Sequence, residues 1–290
     1  INSATGVIAF ASAPDYETTT SYSAIVTASD GTNDTTQSIT VNINNLNDNN
    51  PSFTSSATFS ADENQTAIGT VAASDADGDT LTYSISGSDI TINSATGVIA
   101  FASAPDYETT TSYSATVTVS DGSNAETQDI TVSIGNLNEH APTLTPSGAT
   151  INEGSTAVTT IIATDADGDE TITFSISDTG LGCTDNSFFS IGESTGDLTF
   201  ISAPDYENPA DSDTDNQYKL CVLASDNGGA AGTYSVETVK TQDMLVTVTV
   251  SDVNDSPSFT SSATFSADEN QTSIGTVTAS DQDGDTLTFS

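Results

Sequence analysis

Basic side chains are almost missing: 290 residues carry 2 Lys+Arg against 41 Asp+Glu, a formal net charge of −39. Nucleic acid is therefore excluded as a partner, because phosphate contacts are made by Lys and Arg. The same imbalance argues against anionic membrane surfaces, and a chain this acidic repels itself unless cations gather on it. No run approaches the ~18 apolar residues of a membrane span, so no membrane insertion is expected of this segment. No charged leader with an apolar core opens the chain, but it opens in mid-repeat, so cytoplasmic residence does not follow. One histidine, two cysteines and no tryptophan are present. His140 has no nucleophile partner in the sequence and no zinc spacing exists, so no enzyme activity is expected. Lys219 and Lys240 are the only lysines, so residues 1–141 cannot form lysine-based isopeptide links.

Against those absences stands repetition. Ile1 to Phe10 recurs unchanged as Ile92 to Phe101, and Pro51 to Phe59 recurs as Pro257 to Phe265. A long fixed period is the mark of an array. The spacing divides the chain into a partial unit 1–50, a unit 51–141, a longer unit 142–256 and a partial unit 257–290. Within a unit the hydrophobic period is two: Leu81, Tyr83 and Ile85; Tyr113, Ala115, Val117 and Val119; Ile130, Val132 and Ile134. Thr, Val, Ile and Tyr suit a half-buried pleated surface, and Asp-Gly and Thr-Gly pairs mark turns. About seven short strands per unit predict an all-β fold of tandem β-sandwiches. The longer unit gains its length around Gly180–Asn186, Asn208–Asn216 and Asn227–Thr241.

Acids recur in fixed order. A Glu opens each unit at Glu63, Glu153 and Glu269. Asp-x-Asp-Gly-Asp follows at Asp75/Asp77/Asp79, Asp165/Asp167/Asp169 and Asp281/Asp283/Asp285. Then come Pro-Asp-Tyr-Glu at Asp15/Glu17, Asp106/Glu108 and Asp205/Glu207, and a strand-end Ser-Asp at Asp30, Asp121 and Asp226. Units are joined by oxygen-rich stretches ending in proline: Asn45 to Pro51, Asn136 to Pro142 and Asp252 to Pro257. A lone Asp-Gly is a solvated turn. Four repeated motifs of carboxylates that repel one another call for a cation. Ca²⁺, which takes six to eight oxygen ligands, suits them.

In combination these motifs resemble the cadherin repeat over essentially the whole chain. They are Glu63-Asn64 with Gly69-Thr70; Asp75-Ala76-Asp77; Phe189-Ser190-Ile191 with Thr195-Gly196-Asp197-Leu198; Asp106-Tyr107-Glu108; and Asn47-Asp48-Asn49 with Pro51. The resemblance implies Greek-key, immunoglobulin-like sandwiches in a linear array, with calcium at each junction. Carried over by motif, the first junction would use Asp15, Glu17, Asn47, Asp48, Asn49, Asp75, Asp77 and Asp121. The second would use Glu63, Asp106, Glu108, Asn138, Glu139, Asp165, Asp167 and Asp226. The third would use Glu153, Asp205, Glu207, Asp252, Asn254, Asp255, Asp281 and Asp283. The linkers depart from the family pattern at Asn45, Asn136, Glu139 and His140, and the third is one residue short before Pro257, so unequal ion numbers are expected.

The resemblance also implies an extracellular setting, where disulfides persist. Cys183 and Cys221 then form either a disulfide or a buried thiol pair. The implied function is structural: a calcium-rigidified stalk or filament for adhesion or cell-surface assembly, through self-association or other surface components. The near-identical repeats and the Ser-, Thr-, Asp- and Asn-rich composition resemble bacterial surface adhesins more than animal cadherins. A carbohydrate-binding adhesin module is the alternative and needs exposed aromatics on a sheet face. The partial units are expected to be halves of one sandwich. Seven residues equivalent to Ile85–Thr91 would join 257–290 to a following copy of 1–50.

Overall fold

A computed structural model describes residues 1–168, 171–178, 182–226 and 239–290. Apart from a three-residue 3-10 turn at Asn186–Phe188, every regular element described is a strand. Among the described residues no helix is long and apolar enough to cross a membrane. The chain forms two compact units, Ile1–Asn136 and Leu137–Ser290.

In the first unit, β1 (Ser21–Ser29) and β2 (Asp34–Asn42) make an antiparallel hairpin. Nine strands follow: β3 (Ser52–Phe53), β4 (Thr58–Asp62), β5 (Ala67–Thr70), β6 (Ala73–Ser74), β7 (Thr82–Ile85), β8 (Ile90–Ile92), β9 (Val98–Phe101), β10 (Ser112–Ser120) and β11 (Ala125–Gly135). Seven build two sheets, ordered β4-β11-β10-β7 and β5-β9-β8, while β3 and β6 pair separately as a two-residue ladder. The chain changes sheet between β4 and β5, β5 and β7, β7 and β8, and β9 and β10, which makes a Greek-key sandwich. The period of two sends Val117 and Val119 of β10 and Ile130 and Val132 of β11 inward, each no more than 1% exposed. Val71, Ile99 and Phe101 meet several of them across the sheets.

One turn fixes the approach of the second sheet. Gly97 has φ +70°, and a Cβ there would strike the carbonyl of Val71. That close passage lets the Val71 amide donate to the Gly97 carbonyl at 2.9 Å. Gly196 repeats it against Ile161, with the same positive φ and an amide bond of 2.8 Å. Only glycine adopts this conformation without strain, which explains the Thr-Gly of both repeats.

The second unit repeats the plan with β12 (Thr143–Thr145), β13 (Gly148–Asn152), β14 (Ala157–Thr160), β15 (Ile162–Thr164), β16 (Thr173–Ile176), β17 (Phe189–Ile191), β18 (Asp197–Phe200), β19 (Gln217–Ser225) and β20 (Thr241–Ser251). Its sheets run β13-β20-β19-β16 and β14-β18-β17, and its core holds Phe174, Phe189, Leu198, Phe200, Tyr218 and Leu220. Then β21 (Ser258–Phe259) and β22 (Ala279–Ser280) form a short ladder. Cys183 and Cys221 are joined as a disulfide, Cα–Cα 5.3 Å, tying the β16–β17 connection to β19. It closes a loop of 38 residues in sequence separation, for which chain-entropy reasoning gives about 2–4 kcal/mol. Cys183→Ser is therefore expected to lower the melting midpoint of residues 137–290 and leave that of 1–136 in place, which calorimetry of the reduced and oxidised chain checks. Of the expected insertions, 180–181 and 227–238 lie outside the described residues, as does Asp169.

The repeated segment Ile1–Phe10 shows what the same sequence looks like uncovered. Ile8 and Phe10 are 52% and 42% exposed, while the identical Ile99 and Phe101 are 1% and 4% exposed. Ile99 and Phe101 lie on β9 between β5 and β8 and inside a core closed by the facing sheet. Residues 7–10 run alone and form no strand.

Candidate metal centres

The first linker folds onto the first Asp-x-Asp loop of its own unit. Asp77 is the hub. Its Oδ2 accepts from the amides of Asp48, at 3.0 Å, and Asn49, at 2.8 Å. Its Oδ1 accepts from Asn49 Nδ2 at 2.8 Å. Those donors, Asn49's amide first, hold the Asp77 carboxyl below its ordinary value. Asn45 Nδ2 donates to the Asp77 carbonyl, and Asn47 Nδ2 to the Asp121 carbonyl. Glu17, Asp48 and Asp77 bring carboxylate oxygens within 4.8 Å of one another, as do Asp75, Asp77 and Asp79. The Glu17 carboxyl is pulled down by its own amide, yet desolvation and the side chains of Asp15 and Asp77 leave it raised. Asp15 lines the same cleft but turns its carboxylate to the amides of Glu17 and Thr18 and the Thr18 hydroxyl. Asp121 is desolvated, which pushes it up, but the amides of Asn124 and Ser123 win and hold it down.

The spacing of acids misses Asn124. Its Nδ2 donates to Asn47 Oδ1 at 2.9 Å, to the Asn49 carbonyl at 3.2 Å and to Asp121 Oδ2 at 3.1 Å. The signal is present in the chain, because Asn33 stands in the same place after Asp30.

The residues of the second set divide between the two units. On the first, Glu63 is 1% exposed and its Oε2 accepts from the Tyr107 amide at 2.7 Å. Glu63, Asp106 and Glu108 bring oxygens within 4.8 Å of one another. On the second, Asn138 Nδ2 donates to Asp226 Oδ1 at 2.8 Å, and the Asp167 amide donates to Asp165 Oδ1 at 3.0 Å. Glu139 is exposed on the linker. His140, a departure in the sequence, takes the part played by Asn49. Its amide donates to Asp167 Oδ2 at 3.0 Å and its Nδ1 meets Asp167 Oδ1 at 2.7 Å. Asp165 is raised by desolvation first and then by Asp167 and Asp226.

The third set lies wholly within the second unit. Glu153 Oε2 accepts from the Tyr206 amide at 2.7 Å, repeating Glu63, and its Oε1 accepts from the Val253 amide at 2.8 Å. Glu153, Glu207 and Asp252 bring oxygens within 4.8 Å of one another. The Asp255 amide donates to Asp283 Oδ2, again the second acid of Asp-x-Asp. Asn254 Nδ2 turns to the Asp255 carbonyl. Asp205 Oδ1 accepts from Asn208 and Gln282, and Asp281 Oδ1 from the Asp285 amide. Asp252, Asp255 and Glu207 are all raised, by desolvation first and then by acidic neighbours including Glu153 and Asp283. Among the described residues no Lys or His pairs with any acid of this set.

These groups suit a hard divalent cation. Asp75 Oδ2, Asp165 Oδ2, Asp283 Oδ1 and Glu207 Oε2 are buried and accept no hydrogen bond. Asp75 and Asp165 occupy the same position in successive repeats, so the orphaned oxygen is itself a repeated feature. A buried acceptor with no donor is destabilising by about 1–3 kcal/mol, more when charged. Calcium, bound by carboxylate, amide and carbonyl oxygens, would give these atoms a partner.

The family model of the Cadherin domain matches residues 56–135 and 148–252. Cadherin EGF LAG seven-pass G-type receptor 2 of Mus musculus is 33% identical over 276 residues, covering 88% of this chain and 9% of that protein. Cadherin-99C of Drosophila melanogaster is 31% identical over 271 residues, 87% of this chain and 15% of that protein. The chain thus spans 9–15% of the length of these relatives. The crystal structure of human Protocadherin-24 EC1-2 superposes with TM-score 0.59 at 23% identity, over 72% of this chain and 100% of that one. Mouse Cadherin-23 EC22-24 gives TM-score 0.58 at 27% identity, over 81% of this chain and 78% of that one. Two matched stretches that together exceed half the sequence, on Greek-key sandwiches that recur along it, make this chain a member of the cadherin family.

Proposed function

We propose that this segment is a non-enzymatic, calcium-stiffened stalk or filament of an extracellular adhesion protein. The observation that carries the reading is the third set of acids. Glu153, Glu207, Asp252, Asp255 and Asp283 crowd one another without a basic partner, and Glu207, Asp252 and Asp255 are raised, by desolvation first and then by these acidic neighbours. Such crowding is destabilising unless a cation sits there. The bound ions would tie each linker to the Asp-x-Asp loop that follows it, and the sandwich cores lie away from these acids. Calcium therefore sets stiffness between sandwiches more than their folding. Adhesion then follows from chains holding an extended form, by self-association or on other cell-surface components. The carbohydrate alternative has little to stand on. Among the described residues of 51–256 no Phe or Tyr is among the exposed large hydrophobic side chains.

Removing calcium with a chelator is expected to lower the maximum dimension seen by small-angle scattering and to open cleavage at 45–51, 136–142 and 252–257. Identical scattering curves with and without chelator would overturn the proposal. Asp77→Ala removes the hub of the first linker alone. It is expected to open cleavage at 45–51 in calcium while 252–257 stays protected, with the circular dichroism of the sandwiches unchanged.

A further inference from the structure

The longer repeat carries a cluster of acids that belongs to no junction set. The β18–β19 connection reads Ala210-Asp211-Ser212-Asp213-Thr214-Asp215-Asn216, with acids at alternate positions. Asp211 is 3% exposed. Its Oδ2 accepts from the Asp215 amide at 2.8 Å, which folds the carboxylate back over its own loop. Its Oδ1 is buried and accepts no hydrogen bond, and the same holds for Asn216 Oδ1 five residues on. Asp213 and Asp215 present carboxylates to one point, their Oδ2 atoms lying 3.0 and 3.8 Å from Lys219 Nζ. Two orphaned oxygens and two further carboxylates are thus gathered in one short loop.

Neighbouring elements hold this loop in place. Asp185, 1% exposed on the β16–β17 connection, accepts from the Ser212 amide at 2.9 Å and from the Lys219 amide at 2.9 Å. Both carboxylate oxygens of Asp185 are used in this way, so it positions the loop. The Tyr218 hydroxyl accepts from the Ala210 amide at 3.1 Å. The Cys183–Cys221 disulfide anchors the connection that carries Asp185.

One cation is already present. Lys219 Nζ lies 3.0 Å from Asp213 Oδ2 and 3.8 Å from Asp215 Oδ2. It does not reach the buried side of the cluster, since Asp211 Oδ1 remains without a partner. With Asp185 beside them, the three loop carboxylates outnumber the one ammonium, so the cluster keeps excess negative charge for a divalent ion to offset. All donors are oxygen, held where the hydrogen bonds of the loop place them. That favours calcium over magnesium, which demands near-ideal octahedral geometry, and over zinc, which prefers nitrogen and sulfur.

We infer that Asp211, Asp213, Asp215 and Asn216 form an additional calcium site, built into the insertion of the longer repeat and separate from the linkers. The inference does not rest on the junction reading, and the two are distinguishable residue by residue. The test is a calcium titration of the full chain followed by backbone amide chemical shifts, with bound calcium counted by equilibrium dialysis. Amides of Ser212–Gln217 are expected to shift and saturate, and Asp211→Asn is expected to bind one calcium fewer than the parent and lose those shifts. Asp213→Asn, at a more exposed side chain, serves the same purpose if Asp211→Asn fails to fold. Unmoved amides at 212–217 while linker amides shift would mean that Lys219 alone neutralises the loop, and would overturn the site. Equal stoichiometry in parent and variant would overturn it too.

Discussion

In Asp252→Asn, calcium affinity at the third set of acids is expected to fall by at least about tenfold, while the ion-free protein becomes more stable. The two signs come from one cause. The Asp252 carboxyl is raised by desolvation, then by Asp283, Glu153 and Asp255. A folded-state pKa above the unfolded value means that the folded chain disfavours the charge. That penalty is fully present above the raised value and is relieved as pH falls through it. Asparagine removes the charge and keeps the shape, so the ion-free fold gains at neutral pH what acid would give it. With calcium the same charge is an attraction, and even neighbours that merely orient ligands are worth about 10–100-fold in metal affinity. Ion-free parent protein should therefore gain stability in residues 137–290 as pH drops from neutral into the range of the raised Asp252, Asp255 and Glu207. Asp77, which is lowered, runs the other way in residues 1–136: its contribution is present above the unfolded value and lost as pH falls through the folded one. Melting in chelator at neutral and mildly acid pH, parent against variant, reads both signs. A variant that melts lower than the parent without calcium would refute the argument.

The acids were legible in the sequence because their spacing repeats, and repetition separates a ligand motif from a solvated turn. The core was legible for a similar reason: Val117, Val119, Ile130 and Val132 keep a strict period of two, and all four are buried. What spacing hides is the direction of backbone amides. In every linker an amide donates to the second acid of Asp-x-Asp, from Asp48 and Asn49 to Asp77, from His140 to Asp167 and from Asp255 to Asp283. A pattern of side chains cannot show that, so His140 reads as a defect although its ring nitrogen stands where an asparagine amide would. The Asp-Ser-Asp-Thr-Asp run was visible too, but as an insertion of unequal length. The burial of Asp211 and the unpartnered oxygens of Asp211 and Asn216 distinguish it from a solvated loop. Conversely, the short ladder of β3 with β6 has no signature beyond two residues and follows from the sandwich around it.

Joining two copies of the chain, with the seven residues Ile85–Thr91 between Ser290 of the first and Ile1 of the second, is expected to create a new sandwich. In the complete repeat, Phe59, Val71 and Tyr83 pack against the core that holds Ile99, Phe101, Val117, Ile130 and Val132. Residues 257–290 carry the matching Phe265, Val277 and Phe289, and residues 1–50 the matching Ile8, Phe10, Val26, Ile39 and Val41. Both faces are open: Phe289 is 57% and Ile8 52% exposed, and Phe259, Phe265, Val277 and Phe289 line one apolar hollow. Covering such side chains is worth about 1.5–3 kcal/mol each, reduced because an unfolded chain already buries part of its apolar surface. Several of them acting together exceed what holds a lone two-stranded hairpin, which is marginal in water. The joined protein should therefore show a further cooperative melting transition. Amides of Asp34–Asn42 in the second copy should become protected from hydrogen exchange to the level of Ala125–Ser133. A melting profile equal to twice that of the single chain, with 34–42 still exchanging freely, would show that the two halves do not complete one another.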